Sequence, residues 1–97
     1  MSSMKTPGAY LIEHHSMDRC FKVHLDGHSA RLEYEIFPGG IDLVHTWVPF
    51  DLEGRGIASA LVREALAWCR AHQKKVRTSC PFAAAYVKKH PEYLDLQ

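Results

Sequence analysis

A chain of 97 residues has room for one hydrophobic core and none for a second independent one. With 46% hydrophobic residues, 24% charged ones and a formal net charge of +1, it has the composition of an ordinary globular domain, and its charge balance gives no electrostatic ground for a nucleic-acid partner. The longest apolar run is far short of a membrane span and the first residues lack a signal-peptide layout, so the expectation is a cytoplasmic protein with no membrane partner.

Residues 1–8 include Pro7 and Gly8 and show no hydrophobic period, which suggests a loose leader to a single domain spanning 1–97. Residues 9–13 suggest a short edge strand. In residues 19–25, apolar Cys20 or Phe21, Val23 and Leu25 alternate with Lys22 and His24, the pattern of a half-buried strand. Asp26-Gly27 follows, the strongest short hairpin signal, because a tight primed turn needs positive φ at its centre. In residues 30–37, Leu32, Tyr34 and Ile36 share one face, with Arg31, Glu33 and Glu35 on the other. Pro38-Gly39-Gly40 turns the chain again, and residues 41–48 predict a third, more apolar and more central strand.

Immediately behind this strand stand Gly54 and Gly56, one residue apart, and a helical pattern begins directly after them. Such an arrangement suits a phosphate: glycine lets the backbone approach closely, and the first helical turn offers unpaired N–H groups and the positive end of its dipole. Arg55 adds a cation. The same Gly-x-Gly pattern also occurs in plain tight turns. Ala58, Leu61, Val62, Ala65, Leu66 and Cys69 recur at helical spacing, with Arg63 and Arg70 opposite, predicting about five turns that end near His72 and Gln73. Trp68, at the margin of the stripe, fits packing better than a ligand platform. Residues 75–79 predict a fourth strand. Pro81 then opens a second helix with Cys80 as its N-cap, Pro91 stops it, and residues 92–97 are expected to run as a short tail over the surface. The fold class is α+β: antiparallel strands, glycine loop, helix, strand, helix.

Cys20, Cys69 and Cys80 are odd in number and unrelated in spacing, which predicts reduced thiols rather than a disulfide framework or metal knuckle. The seven histidines fall in no ligand spacing, so no metal is expected. Two roles fit Cys80. A helix N-terminus favours the thiolate, which makes the residue a candidate nucleophile; a small buried cysteine that merely caps the helix has the same placement. His45, on the third strand, is a candidate proton acceptor or a structural residue.

The order of these parts, with Leu52-Glu53-Gly54-Arg55-Gly56-Ile57-Ala58 and Ser79-Cys80-Pro81-Phe82-Ala83, resembles the GNAT superfamily of acetyl-CoA-dependent N-acyltransferases. More narrowly, His45-Thr46 before the loop and the Ser-Cys-Pro-Phe segment after it resemble the short YjdJ-type branch, over residues 21–95. The resemblance implies an N-acetyltransferase that moves an acetyl group from acetyl-CoA (coenzyme A) to a primary amine of a small molecule or a protein. It implies that the amides of Gly54, Arg55, Gly56, Ile57, Ala58 and Ser59 hold the pyrophosphate. The strand edge at Trp47 and Val48 would pair with the pantetheine arm, in a cleft opened towards Ser79. Glu53 replaces a glutamine or arginine common in the family and is expected to point away. The resemblance pairs His45 with Cys80, both facing that cleft, and matches Tyr86 to a helix tyrosine that protonates the departing thiolate; Tyr86 is equally suited to the core. Lys74, Lys75 and Arg77, or Lys88 and Lys89, are candidates for the 3′-phosphate or simply solvated faces. Two other classes stay open: a non-catalytic CoA or acyl-CoA binding module, and an interaction domain whose glycine turn binds no nucleotide. Nothing in the sequence sets the acceptor or the oligomeric state.

Overall fold

Alternation in the first half of the chain becomes one antiparallel sheet. The computed structural model describes residues 10–97, so the expected leader at 1–8 lies outside the described residues. Strands β1 (Glu13–His15), β2 (Cys20–Leu25), β3 (His28–Phe37) and β4 (Gly40–Trp47) lie side by side in sequence order, and β5 (Lys75–Arg77) joins the far edge, parallel to β4. The edge strand expected at 9–13 sits later, at Glu13–His15, because a 3₁₀ turn at Ser16–Asp18 and left-handed Arg19 (φ 55°) reverse the chain there. At the next reversal Asp26 and Gly27 both have positive φ (53° and 78°), as a primed hairpin turn requires.

Helices α1 (Ile57–Ala71) and α2 (Pro81–Lys89) cover one face of this sheet. Phe21, Val23, Leu32 and Leu43 point into that side and form one core with Leu61, Val62, Ala65 and Leu66 of α1. Burying each valine, leucine or phenylalanine of that set contributes about 2 kcal/mol against full exposure, which makes the helical stripe rather than helix propensity the main reason α1 is stable. Gln73 ends α1 in the left-handed conformation (φ 56°), where the Lys74 N–H reaches back to the Cys69 carbonyl at 2.8 Å. Ile36 keeps the alternation of β3 yet is 62% exposed, although its cross-strand partner Ile41 is buried.

The closing segment is more tightly held than the expected surface tail. It forms a 3₁₀ helix, Pro91–Leu96, whose Leu96 is buried in the core. Arg70 of α1 donates to both carboxylate oxygens of Asp95 (2.8 and 3.1 Å) and to the Glu92 carbonyl (2.9 Å).

One irregularity decides which way the site residues face. In the β3–β4 ladder Leu32 opposes Thr46 and Glu33 opposes His45, but Tyr34 opposes Leu43, so Val44 is an extra residue that forms a β-bulge. Regular alternation would put His45 on the same face as Ile41 and Leu43. The bulge resets the alternation, so Thr46 joins the helix side with Leu32 and His45 turns to the uncovered face with Glu33. Register pairs align His15, Cys20, Glu33 and His45 in one row across that outer face, and Glu13, Lys22, Arg31 and Trp47 in the next.

Candidate functional site

The parallel ladder between β4 and β5 has only three pairs, Gly40 with Lys75, Ile41 with Val76 and Asp42 with Arg77. Gly40 belongs here because a Cβ would overlap the Lys75 carbonyl and the Phe37 ring. Past Arg77 the strands part. Asp42 closes the ladder with its carboxylate, accepting the Ser79 N–H at 3.0 Å and the Ser79 hydroxyl at 2.8 Å, and the Cys80 N–H donates to the Leu43 carbonyl at 2.7 Å. From Val44 onward no strand among the described residues pairs with β4 on that side. The result is a free strand edge inside a splay.

The glycine loop meets the end of this edge. After a 3₁₀ turn at Phe50–Leu52, Gly54 (φ 80°) and Gly56 (φ 75°) both take left-handed conformations, which side-chain-bearing residues rarely adopt. Gly56 is the N-cap of α1, and its carbonyl accepts the first helical bond, from the Ala60 N–H at 3.0 Å, so the N–H groups of Ile57, Ala58 and Ser59 have no helical partner. A Cβ built on Gly54 or Gly56 meets nothing within 4 Å. The glycines therefore serve the backbone conformation, and the space in front of them is a cradle that side chains would fill.

A cavity of about 230 Å³ lies against this cradle. Val48, Gly54, Gly56, Ile57, Ala58 and Ser59, all expected cofactor contacts, line it. Leu52 and Phe82 supply apolar walls, and Glu53, expected to turn away, also contributes to the lining. Arg55 does not line it: its guanidinium donates to Asp26 at 2.8 Å across to the β2–β3 turn, and its carbonyl accepts from the Tyr10 hydroxyl at 2.6 Å. Trp47 keeps its backbone on the free edge, while its ring lies on the outer face with the Arg31 guanidinium 5.1 Å from its centroid.

Cys80 is the N-cap of α2, with Pro81 at the first helical position. Its side chain is buried, with Sγ 3.2 Å from the Thr46 hydroxyl across the splay. His45 does not meet it. The expectation that both face the cleft is corrected by the bulge, which puts Thr46 beside the thiol and His45 on the opposite face. Tyr86 is on α2, half a dozen residues past Cys80, and its ring is buried. It stacks on His90 (ring centroids 4.0 Å apart) and lines a second cavity of about 160 Å³ with Ser59, Phe82, Ala85, Lys89 and His90. Ser59 and Phe82 border both cavities, so the two adjoin.

Two residues of the site escaped the sequence as site residues. Thr46 was legible only as half of a motif. Asp42 had a signal of its own, a carboxylate within the apolar run Ile41-Asp42-Leu43-Val44. The other thiols are unsuited to chemistry: burial pushes Cys69 up to about 11 and also raises Cys20. Among the described residues no group of three histidines, cysteines or carboxylates stands ready for a metal, and no helix is long and apolar enough to cross a membrane.

Comparison with known proteins bears on the same parts. Residues 20–96 match the family model described as GCN5-related N-acetyl-transferase, a span that takes in the sheet from β2, the glycine loop and Cys80. Protein NATD1 of Mus musculus is 36% identical over 99 residues, covering 97% of this chain and 90% of that protein. Protein NATD1 of Homo sapiens is 38% identical over 89 residues, covering 87% and 79%. The NMR solution structure of a GCN5-like protein from Staphylococcus aureus superimposes with a TM-score of 0.71 at 24% identity, over 90% of this chain and 86% of that one, a likeness of fold. The chain therefore belongs to the GCN5-related N-acetyltransferase family, and the glycine cradle, the free edge of β4 and Cys80 all lie inside the part that carries the membership.

Proposed function

We propose that this protein is an acetyl-CoA-dependent N-acetyltransferase acting on a primary amine. One observation supports the reading above the others: the open cradle at Gly54 and Gly56 runs into an unpaired strand edge that ends beside the buried Cys80–Thr46 contact. Bound acetyl-CoA would supply an acyl group activated as a thioester. The N–H groups of Ile57, Ala58 and Ser59, at the positive end of the α1 dipole, would take the pyrophosphate. The free edge at residues 44–48 would take the amides of the pantetheine arm as a strand takes a partner. Val48, Leu52 and Phe82 would keep water from that arm.

The nucleotide end would lie over the second cavity, where Lys89 offers its ammonium to the 3′-phosphate. Of the rival basic cluster, Lys75 is already engaged with the Asp95 carbonyl (3.0 Å) and Arg77 lies over the Phe37 ring (3.9 Å). Tyr86 would then flank the nucleotide rather than protonate a thiolate. Cys80 and Thr46 form the acyl end of the site, where the Thr46 hydroxyl can accept from the thiol or donate to it.

A calorimetric titration with acetyl-CoA tests the reading, repeated with Gly56→Val. Binding by the natural protein and its loss in the variant are expected, because the added side chain occupies the cradle. Folded protein that binds no acetyl-CoA would overturn the proposal. A second reading, a non-catalytic CoA-binding module, is favoured by the separation of His45 from Cys80 onto opposite faces. Acetyl transfer to some member of an amine panel, abolished in Cys80→Ala with cofactor affinity intact, excludes the module; an inert natural protein that still binds CoA supports it.

A further inference from the structure

The bonds that join β4 to β5 do not stay in step. The Lys75 N–H donates to the Gly39 carbonyl at 2.9 Å, and the bonds of a parallel ladder are evenly spaced, so donors at Arg77 and Ser79 follow in regular order and the Ser79 N–H is due at the Leu43 carbonyl. That carbonyl instead accepts from the Cys80 N–H, at 2.7 Å. Between these two bonds one segment advances from Gly39 to Leu43 while the other advances from Lys75 to Cys80, one residue further. An extra residue in one strand leaves backbone groups without a ladder partner, and here the Ser79 N–H is the orphan. Asp42 takes it: Oδ1 accepts the Ser79 N–H at 3.0 Å and Oδ2 accepts the Ser79 hydroxyl at 2.8 Å. Arg77, the cross-strand partner of Asp42, lies over the Phe37 ring at 3.9 Å, which leaves both carboxylate oxygens to Ser79.

The slip reaches the thiol. In step, Cys80 would lie one residue, about 3.3 Å, further along β4. Out of step, it enters α2 as the N-cap with its side chain buried and Sγ 3.2 Å from the Thr46 hydroxyl. We propose that Asp42 is a positioning residue for the acyl end of the site, a role that rests on the acetyl-CoA reading given above. By holding the extra residue it fixes a single register for the exit from β5, and so a single place for the Cys80 thiol beside Thr46. Without the carboxylate, the Ser79 and Cys80 N–H groups compete for one Leu43 carbonyl, and the thiol is shared between two places. Asp42 works through the backbone of Ser79 and Cys80 and touches no reacting atom. A side chain can divert a backbone N–H from a ladder in this way because its oxygens offer the same acceptor chemistry as a carbonyl.

The test is an NMR measurement on acetyl-CoA carrying a carbon-13 label in its acetyl methyl, bound to the natural protein, to Asp42→Ala and to Asp42→Asn. The asparagine variant keeps both bonds, since its carbonyl accepts the Ser79 N–H and its amide donates to the Ser79 hydroxyl. Nuclear Overhauser contacts from the labelled methyl to the Cys80 β-protons and the Thr46 methyl are expected in the natural protein and in Asp42→Asn, and are lost in Asp42→Ala. They need no turnover, so they decide the matter even for a protein that binds the cofactor without transferring its acetyl group. Acetyl-CoA affinity should stay within about twofold in all three, because the glycine cradle is untouched. Under turnover, Asp42→Ala lowers kcat roughly tenfold with KM for acetyl-CoA unaltered, and Asp42→Asn restores it. A merely structural weakening would lower the thermal midpoint and leave kcat per folded molecule alone. Natural protein that binds no acetyl-CoA overturns the cofactor reading, and this role with it, before any variant is made. Given binding, an acetyl methyl remote from Cys80, contacts indifferent to Asp42→Ala, or an asparagine variant as impaired as the alanine one each overturn the positioning role alone.

Discussion

The two halves of β4 differ in what lies on their β5 side. From Gly40 to Asp42 the strand is paired on both edges, and Ile41 enters the core; from His45 to Trp47 it is paired with β3 alone and shows polar or aromatic side chains on both faces. The first half is specified by fit, with Gly40 accepting a neighbour's carbonyl where no side chain fits. The second half is specified by what it leaves open. A single extra residue separates them, which teaches that one strand can be scaffold at one end and binding edge at the other when a bulge resets its alternation.

Breaking the first half should produce the largest effect. Gly40→Val drives a side chain into the Lys75 backbone and should cost about 3 kcal/mol or more, seen as loss of a cooperative thermal transition. The second half is sharpened by a pair of variants. Thr46→Arg forces a charge towards the core side and should cost about 2 kcal/mol in denaturant unfolding, while His45→Arg, one residue earlier, should stay within about 0.5 kcal/mol. Equal costs would mean that Val44 does not reset the strand. At the border itself, Asp42→Ala removes the acceptor of two Ser79 bonds and should cost about 1–2 kcal/mol, with faster amide exchange at Ser79 and Cys80.

The smallest expected effect lies at the far side of the sheet, where nothing resembles the β4 edge. His14 stacks on Phe21 (4.1 Å), meets Trp68 edge-on and bonds the Tyr34 hydroxyl at 2.6 Å. Burial lowers its pKa from 6.5, helped by the nearby His72 and His15 and opposed by Glu64. The unfolded chain therefore binds the proton first as pH falls, so the stability His14 contributes is complete above about 6.5 and is lost as pH drops through its lower folded value. The thermal midpoint should fall on acidification from neutral pH, and His14→Phe should flatten that slope.

Much of this is legible in the sequence alone. Asp26-Gly27 fixed its hairpin, the apolar stripe fixed α1, and Pro81 fixed the start of α2, because each is set by local backbone chemistry or a simple period. The glycine loop was legible for the same reason. What the chain hid was tertiary. The bulge has no local signature, since Ile41, Leu43 and His45 satisfy strict alternation as well as the true register does, and so the expected pairing of His45 with Cys80 failed and Thr46 stands beside the thiol instead. Arg55 sits in a phosphate-type loop by sequence, but Asp26 from another hairpin turns it aside. Tyr86 matched a motif position, while its ring stacks on His90, the C-cap of the same helix.

The order in which the strands follow one another also carries a kinetic consequence. β1 to β4 are each other's neighbours along the chain and in space, so their loops are short and close cheaply. β5 reaches β4 only after the whole of α1 has been crossed, and the three-pair parallel ladder is the late, non-local step. During refolding, pulse-labelled amides of β2 and β3 should gain protection before Val76. A nascent chain halted before β5 would own every glycine of the cradle and still lack a splay, so competence would arrive in one step with the last strand.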